Sequence, residues 1–270
     1  MSPAATARAA CILLLAGAAA PLRAQATADR ARLAVGLGIA YHGGGHIWTQ
    51  DGQTIIDQSA NVDTATVGRD IQSQLGLSFM GAYFPTERWG VIGEVQFLGL
   101  HYVDSCRLLT NHSPDEAPQI CRNLQGRGHD GTAVTLTLGG IFRPWPTSEV
   151  SPYLRASGGL NMSQNSSVRM IGTWITSTFE EADYYIFGDP SPQEIMPTLA
   201  LGGGITAPTG RGSQFRLEAR DNVVFLRHPV GPQSTPDPGL TPPTKVRASH
   251  LFSLNLSFEI VLEKRRGRRY

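Results

Sequence analysis

Residues 252–262 read FSLNLSFEIVL, and every second side chain in this stretch is apolar. One face carries Phe252, Leu254, Leu256, Phe258, Ile260 and Leu262, and the other carries Ser253, Asn255, Ser257 and Glu259. Successive side chains of a β-strand point to opposite sides of a sheet, so this period of two predicts a strand. The polar face consists mostly of small side chains, whereas a soluble sheet would carry lysines, arginines and glutamates there.

Seven further stretches repeat this alternation of large apolar side chains with small or polar ones. They cover residues 33–41, 75–83, 91–97, 134–142, 154–162, 199–205 and 215–219. The stretch at 91–97 is the least regular, because the leucines that follow it, Leu98 and Leu100, fall on the polar side. Together with 252–262, these stretches predict eight strands.

The connections between the predicted strands alternate in length. Short turns follow the second, fourth and sixth strands and include residues 84–88, 143–146 and 207–210. The other connections are far longer than an ordinary hairpin loop. The sequence therefore predicts an all-β fold, an eight-stranded antiparallel up-and-down barrel with long loops at one rim and short turns at the other.

The composition excludes several classes of protein. The chain has 270 residues with 30 glycines and 18 prolines, which excludes a helical bundle, and a net charge of +1. Its only lysines are Lys245 and Lys264, so there is no broad basic surface, and we expect no nucleic-acid partner. No glycine-rich phosphate loop, nucleophile elbow or close pair of metal ligands occurs, and we predict no cofactor and no metal.

The N-terminus has the features of an export signal. Arg8 precedes an apolar stretch at 9–22, and the small residues of 24–26 suit signal peptidase. We therefore divide the chain into a signal peptide (1–26), a barrel (27–262) and a basic C-terminal tail (263–270). The mature chain keeps Cys106 and Cys121, and an even number of cysteines in an exported protein favours a disulfide over metal ligation.

The residues opposite the apolar face decide what surrounds the barrel. They are mostly Gly, Ala, Ser, Thr and Asn, which suit a narrow interior, while an apolar exterior suits lipid. This arrangement predicts a transmembrane barrel. Aromatic residues bracket the first two short turns, where an interfacial girdle is expected: they are Tyr83, Phe84, Trp89, Phe142, Trp145 and Tyr153.

Six charged residues fall on the small-residue face and are therefore expected inside the barrel. They are Glu94, Arg155, Arg216, Glu218, Arg220 and Glu259. A lone buried charge is costly, so we predict that the three positive and three negative groups pair across the lumen. An eight-stranded barrel is just wide enough to be filled by its own side chains, which favours a plugged lumen over a conducting path.

The export signal, the eight alternating strands, the short turns and the long loops together resemble the small outer-membrane β-barrel superfamily, of the outer-membrane protein A and X type. The resemblance covers essentially the whole mature chain. It implies a location in the outer membrane of a Gram-negative-type cell, after export through the inner membrane, with outer-membrane lipid and the barrel-assembly machinery as partners. In that family an aromatic residue at the chain end is read by this machinery, so either Phe258 or Tyr270 serves as the signal here.

Our first functional hypothesis is a non-enzymatic membrane protein whose long loops serve surface structure, adhesion or contact with an extracellular partner. One alternative is an enzyme that modifies outer-leaflet lipid. No catalytic constellation supports it, because Ser253 and His250 are three residues apart and point to opposite faces of a strand. The other alternative is a narrow passive pore.

Two groups of residues at the long-loop rim leave alternatives open. The seven histidines form either a metal or pH-sensitive patch or a scatter of surface residues: they are His42, His46, His101, His112, His129, His228 and His250. The third long loop is rich in aromatic and aliphatic residues, which either form a contact surface or pack on themselves in a β-ribbon: they are Trp174, Ile175, Phe179, Tyr184, Tyr185 and Phe187.

Overall fold

The computed structural model describes residues 30–112, 115–125, 128–146, 148, 150–176, 178–191, 193–210, 212–233 and 235–265. The predicted signal peptide (1–26) and residues 266–270 of the predicted tail lie outside the described residues.

Strands make up most of the described chain, and the elements follow one another in this order. They are β1 (Arg30–His42), β2 (Gly45–Ile56), β3 (Val62–Ile71), β4 (Gln74–Tyr83), β5 (Trp89–Leu108), α1 (Glu116–Gln125), β6 (Gly128–Phe142), β7 (Ser151–Ser163), β8 (Met170–Ile175), β9 (Glu181–Phe187), β10 (Glu194–Gly210), β11 (Ser213–Pro229) and β12 (Thr244–Arg265). In the part of the chain that the structure describes, no helix is long and apolar enough to cross a membrane.

Eight of these strands close into a ring. Neighbours around it pair antiparallel in the order β1, β4, β5, β6, β7, β10, β11 and β12. The first and last strands close the ring, with Leu37 opposite Phe258 and Val35 opposite Ile260. The predicted eight-stranded antiparallel barrel is therefore confirmed. The last strand continues to Arg265, three residues beyond the predicted end of the barrel at 262, and these residues pair with the start of β1.

The apolar face of each ring strand points outward. On β12, Phe258 is 44% exposed while its neighbour Glu259 is 1% exposed, and the same alternation runs around the ring. A surface of exposed leucine, isoleucine, valine and phenylalanine is stable against hydrocarbon and costly against water. The ring is thus a transmembrane β-barrel, and we call this outer apolar surface the belt.

The long loops fold into a compact cap at one end of the ring. The hairpin of β2 and β3 extends the barrel wall, since β3 pairs with the upper part of β5 from Tyr102 to Leu108. The β8–β9 hairpin and α1 complete the cap. Its core is a single apolar cluster that includes Trp48, Val67, Ile120, Phe187 and Leu226.

The inward face of the ring changes character along its length. On β5, Glu94 and Gln96 are buried in the lumen, whereas Leu100 and Tyr102 are buried in the cap core. This change explains why Leu98 and Leu100 broke the pattern in the sequence. Above the belt they face an apolar core that the loops cover, instead of a polar lumen.

Candidate functional site: the charged lumen and its cap

The charged side chains of the lumen lie close together because they occupy inward-facing positions on strands that pair in register. Arg216, Glu218 and Arg220 alternate along β11 and all point inward. Gly202 on β10 pairs with Arg155 on one side and with Arg220 on the other. A Cβ atom at Gly202 would lie 2.8 Å from a backbone oxygen of β11, so this glycine lets the two arginine-bearing strands approach.

Four of the six predicted charges form one network at the middle of the lumen. Glu94 accepts from Arg155 at 2.5 Å and from Arg220 at 2.6 Å. Glu218 lies 3.5 Å from Arg155 and 3.6 Å from Arg220. All four side chains are at least 95% buried, so each charge is balanced by direct contact with opposite charges.

The other two predicted charges form a separate pair near the short turns. Arg216 donates through Nε to Glu259, and Gln214 donates to the same carboxylate. Tyr153 links this pair to the central network, because its hydroxyl donates to Glu218 at 2.7 Å and its ring lies 4.7 Å from the Arg216 guanidinium.

Neutral polar side chains continue the network toward the cap. Gln96 donates to His42 at 3.0 Å, and Asn255 accepts from Arg220 at 3.2 Å. The lumen is thus occupied by interlocking side chains from β1, β5, β7, β11 and β12. An arrangement in which every carboxylate is already bound to a cation is suited to holding strands together rather than to proton transfer.

The predicted aromatic girdle needs a correction at two positions. Tyr83, Trp89 and Trp145 are exposed on the outer surface, and Phe142 packs 4.5 Å from Trp89. Phe84 and Tyr153, however, are each only 2% exposed and lie inside the barrel, so they cannot belong to a girdle. Tyr153 is two residues from Arg155 and therefore points inward with it. Phe84 follows the outward-facing Tyr83 and therefore points inward as well.

Arg69, which was not among the predicted site residues, holds the cap together. Its guanidinium donates to both carboxylate oxygens of Asp104, at 2.7 and 2.8 Å. It also donates to the backbone oxygens of Ser166, Ser167 and Arg169, in the third long loop. A buried arginine with five acceptors fixes this loop against β3 and β5. The charge of Asp104 could have indicated a buried cation here. Asp104 lies an even number of residues after Glu94 on β5 and therefore also faces inward.

A second ion-pair group lies at the edge of the cap. Arg227 bonds Asp189 at 2.7 Å and Glu194 at 2.6 Å. Burial raises the pKa of Asp189, but hydrogen bonds from Ser166 and the Ser191 amide, together with the Arg227 charge, outweigh burial and hold this pKa below its ordinary value. Asp189 is therefore ionised and bound in the folded cap.

Cys106 and Cys121 are joined by the predicted disulfide bond. Cys106 lies on β5 and Cys121 on α1, with 5.1 Å between their Cα atoms. The same helix buries Ala117, Ile120 and Leu124 in the cap core, a spacing of three and four residues that puts all of them on one helical face. The disulfide therefore anchors α1 to the barrel wall.

The third long loop largely follows the β-ribbon alternative. Tyr184 and Phe187 are buried, with Tyr184 edge-on to Trp174 at 5.7 Å and Phe187 edge-on to Trp48 at the same distance. Phe179 is the exception. It lies at the tip of the β8–β9 hairpin, is 91% exposed and has a positive φ of 62°.

The histidines do not converge on a common ligand. His46, His112 and His250 each contact a different aspartate, at 2.7, 3.1 and 2.7 Å. Across the described ranges, no group of three His, Cys, Asp or Glu side chains is arranged to hold a metal ion. A pocket of about 120 Å³ lies beside Arg69 and Asn165.

Several solved outer-membrane structures share this fold at low sequence identity. Neisserial surface protein A matches with a TM-score of 0.43 and 9% identity, over 85% of this chain and 97% of its own. OprG from Pseudomonas aeruginosa matches with a TM-score of 0.41 and 14% identity, over 86% and 96%. Ail of Yersinia pestis, in complex with the heparin analogue sucrose octasulfate, matches with 0.35 and 13%, over 85% and 98%. No family model and no curated protein matches the sequence.

These likenesses concern the fold alone. The predicted resemblance to small outer-membrane barrels is confirmed at that level, by the closed ring of eight strands and its belt. The chain forms a transmembrane β-barrel, and membrane lipid surrounds its belt.

Proposed function

We propose that this protein is a non-enzymatic barrel whose lumen is closed by its own side chains and whose long loops display a rigid contact surface outside the cell. The observation that carries the proposal is the cap core. Inward-facing apolar residues of β5 and β11, such as Leu100 and Leu226, are covered by loop residues in one buried cluster. Loops that share a packed core hold one conformation. Such a preorganised surface favours binding to a specific partner, because little conformational entropy is lost on binding.

The closed lumen is supported by two successive barriers. The Glu94–Arg155–Glu218–Arg220 network fills the middle, and the cap core lies above it. We expect the purified protein to give no single-channel steps in planar bilayers at moderate voltage. Steps that disappear when residues of the network are enlarged would show a conducting path and overturn this part of the proposal.

The hairpin tip is the best candidate for the contact itself. Thr176 fixes the turn, since its amide donates to the Glu180 carbonyl at 2.8 Å and its carbonyl accepts from the Phe179 amide at 2.9 Å. An exposed, large apolar side chain on a backbone held in the left-handed conformation costs folding free energy. In other proteins such a cost is often found at functional sites. An extracellular partner with an apolar pocket fits this tip.

The display orientation is tested by labelling single cysteines on intact cells with a membrane-impermeant maleimide. We expect the Phe179→Cys variant to react on intact cells, and the Arg88→Cys variant, in the turn between β4 and β5, to react only after the outer membrane is permeabilised. Both positions are exposed, so they differ only in the side of the membrane. The reverse pattern would refute the orientation.

The geometry gives no support to the lipid-modifying alternative. Ser253 faces the lumen and accepts from Asn222 and Asn255, whereas the exposed His250 bonds Asp221. We expect the lipid A mass spectrum of cells that express the protein to match that of control cells. A new lipid A species would favour the enzyme.

We also propose that the barrel-assembly machinery recognises the last strand. Phe258 is exposed on the outer face of β12, where a recognition element could be read, while Tyr270 lies outside the described residues. If Phe258 is the signal, Phe258→Ala lowers barrel assembly in vivo and removal of Tyr270 does not. The opposite result would assign the signal to Tyr270.

A further inference from the structure

Seven buried guanidinium nitrogens have no hydrogen-bond partner among the described residues, and four of them belong to Arg143 and Arg216 at the short-turn end of the lumen. These four are Nε and Nη2 of Arg143 and both Nη atoms of Arg216, while Arg32, Arg155 and Arg220 each contribute one Nε. Arg143 is 5% exposed and Arg216 is 1% exposed. An arginine in a protein stays charged, so neither group can relieve this situation by losing a proton.

The two guanidinium groups border the same small cluster inside the barrel. This cluster contains Phe84 and Tyr153, together with Ala82, Ile92 and Ile141. Arg143 stacks 3.5 Å from the centre of the Phe84 ring, and Arg216 lies 4.7 Å from that of Tyr153. Arg143 directly follows the end of β6. Two positively charged groups therefore lie against the rings of one cluster.

The charges of the lumen do not balance at this end. The central network has two arginines and two glutamates and is neutral. Below it, Arg143 and Arg216 face a single carboxylate, that of Glu259, which already accepts from Arg216 Nε and Gln214. Among the described lumen residues one positive charge is thus in excess, and the unpartnered donors are concentrated where this excess lies.

The geometry points to a binding site for a phosphate-type oxyanion between Arg143 and Arg216, reached from the short-turn side. A tetrahedral oxyanion presents several acceptor atoms that match the paired N–H groups of two guanidinium forks, whereas a halide offers a single acceptor atom. It would also neutralise the excess charge. Arg143 lies directly after the end of β6, so the anion would reach the site from the short-turn rim.

The test uses the full barrel in an uncharged, phosphate-free detergent. Its thermal unfolding midpoint is followed by the mobility shift on gels while inorganic phosphate is titrated at constant ionic strength, with sodium chloride as the reference salt. We expect a saturable rise of the midpoint with phosphate and none with chloride. A second arm adds phosphatidylglycerol to the micelles instead, which distinguishes a lipid headgroup from free phosphate as the source.

Two variants assign the effect to this site. Arg143→Met removes the excess charge and keeps a side chain over Phe84, so we expect it to lose the phosphate response. Arg143→Lys keeps the charge but not the fork, and it should weaken binding about tenfold, which corresponds to about 1.4 kcal/mol. The matched control is Arg32→Gln, an exposed arginine at the same rim that bonds Glu263, and it should respond like the parent protein.

Each outcome of the titration decides the proposal. Loss of the response in Arg143→Met and a weaker response in Arg143→Lys, with an intact response in Arg32→Gln, support it. A parent protein that does not respond to either phosphate source would mean that only water bonds these donors, and this result alone overturns the proposal even if Arg143→Met does not fold. A response that survives in Arg143→Met, or that Arg32→Gln also loses, would place the phosphate elsewhere.

Discussion

Glu94 binds two arginines at once and is therefore the residue on which the central network depends most. The Glu94→Gln change leaves the buried Arg155 and Arg220 to share the single countercharge of Glu218. Breaking a buried ion pair by removing one partner typically costs about 3–5 kcal/mol. We expect the free energy of unfolding in urea, measured in lipid vesicles, to fall by about 3 kcal/mol or more. The control is Glu263→Gln, which removes an exposed partner of Arg32 and should cost at most about 1 kcal/mol. Equal effects of the two changes would show that the lumen charges are solvated.

Asp189 makes the cap sensitive to acid. Its folded-state pKa lies below its ordinary value, so the ionised form is the one that folding favours. Its contribution to stability is complete above an ordinary aspartate pKa of about 3.9, and it is lost as the pH falls from there through the lower folded-state pKa. We expect amide hydrogen exchange in residues 164–191, corrected for intrinsic rates, to quicken over that range.

The Asp189→Asn variant is the control for this pH dependence. It cannot titrate at this position, so its exchange should be faster than that of the parent at neutral pH and should change little below pH 4. If the parent and the variant showed the same acid dependence, another carboxylate would be responsible.

Close packing of neighbouring strands depends on glycines that face the lumen. A Cβ atom at Gly159 on β7 would lie 1.8 Å from the carbonyl oxygen of Leu136 on β6, whereas one at Gly140 on β6 would meet nothing within 4 Å. Because backbone cannot move aside cheaply, we expect Gly159→Ala to destabilise the barrel by about 1–3 kcal/mol or more. Gly140→Ala, on the lipid face, should change stability by about 0.5 kcal/mol at most. Heat-modifiable gel mobility measures both, and equal tolerance would mean that β6 and β7 lie further apart.

The disulfide matters for α1 and not for the ring. Its sequence separation is 15 residues, and closing a loop of that size stabilises by about 3 kcal/mol in the chain-entropy model. We expect the Cys106→Ser, Cys121→Ser double variant to keep its heat-modifiable mobility but to be cut within 109–125 by added protease. Protection of that segment in the double variant would show that the buried face of α1 is sufficient by itself.

The elements divide into those that local sequence determines and those that it does not. All eight ring strands could be predicted, because their alternation is local and the membrane imposes it on every strand. The alternation of inward and outward positions also places Arg216, Glu218 and Arg220 inside the barrel. Applied strictly, it would have placed Phe84 and Tyr153 inside as well. The hairpins β2–β3 and β8–β9 and the helix α1 were not predicted, since their stability comes from a shared core between segments distant in sequence.

On the scale of the whole molecule, the protein uses two opposite arrangements of polar and apolar residues along one set of strands. Within the belt, apolar side chains point outward and charges point inward. Above it, β5 and β11 turn Leu100 and Leu226 inward to the cap core. The surrounding solvent changes from hydrocarbon to water at this level, and the inward face changes with it. The sequence pattern was interpreted as if hydrocarbon surrounded the whole length of each strand. Under that assumption Leu98 and Leu100 are irregularities, and their position in the cap core could not be predicted.

This change of solvent predicts a difference between two positions on one strand. Leu256 and Val246 both lie on β12, ten residues apart, and are 55% and 62% exposed. Leu256 is near the middle of the belt, so Leu256→Arg puts a charge into hydrocarbon and should cost about 2–4 kcal/mol. Val246→Arg lies above the belt, beside Lys245 and Arg247, and should change stability by about 0.5 kcal/mol at most. Urea unfolding in lipid vesicles measures both values. A chain folded in water would tolerate the two arginines equally, so equal costs would contradict the membrane-spanning barrel itself.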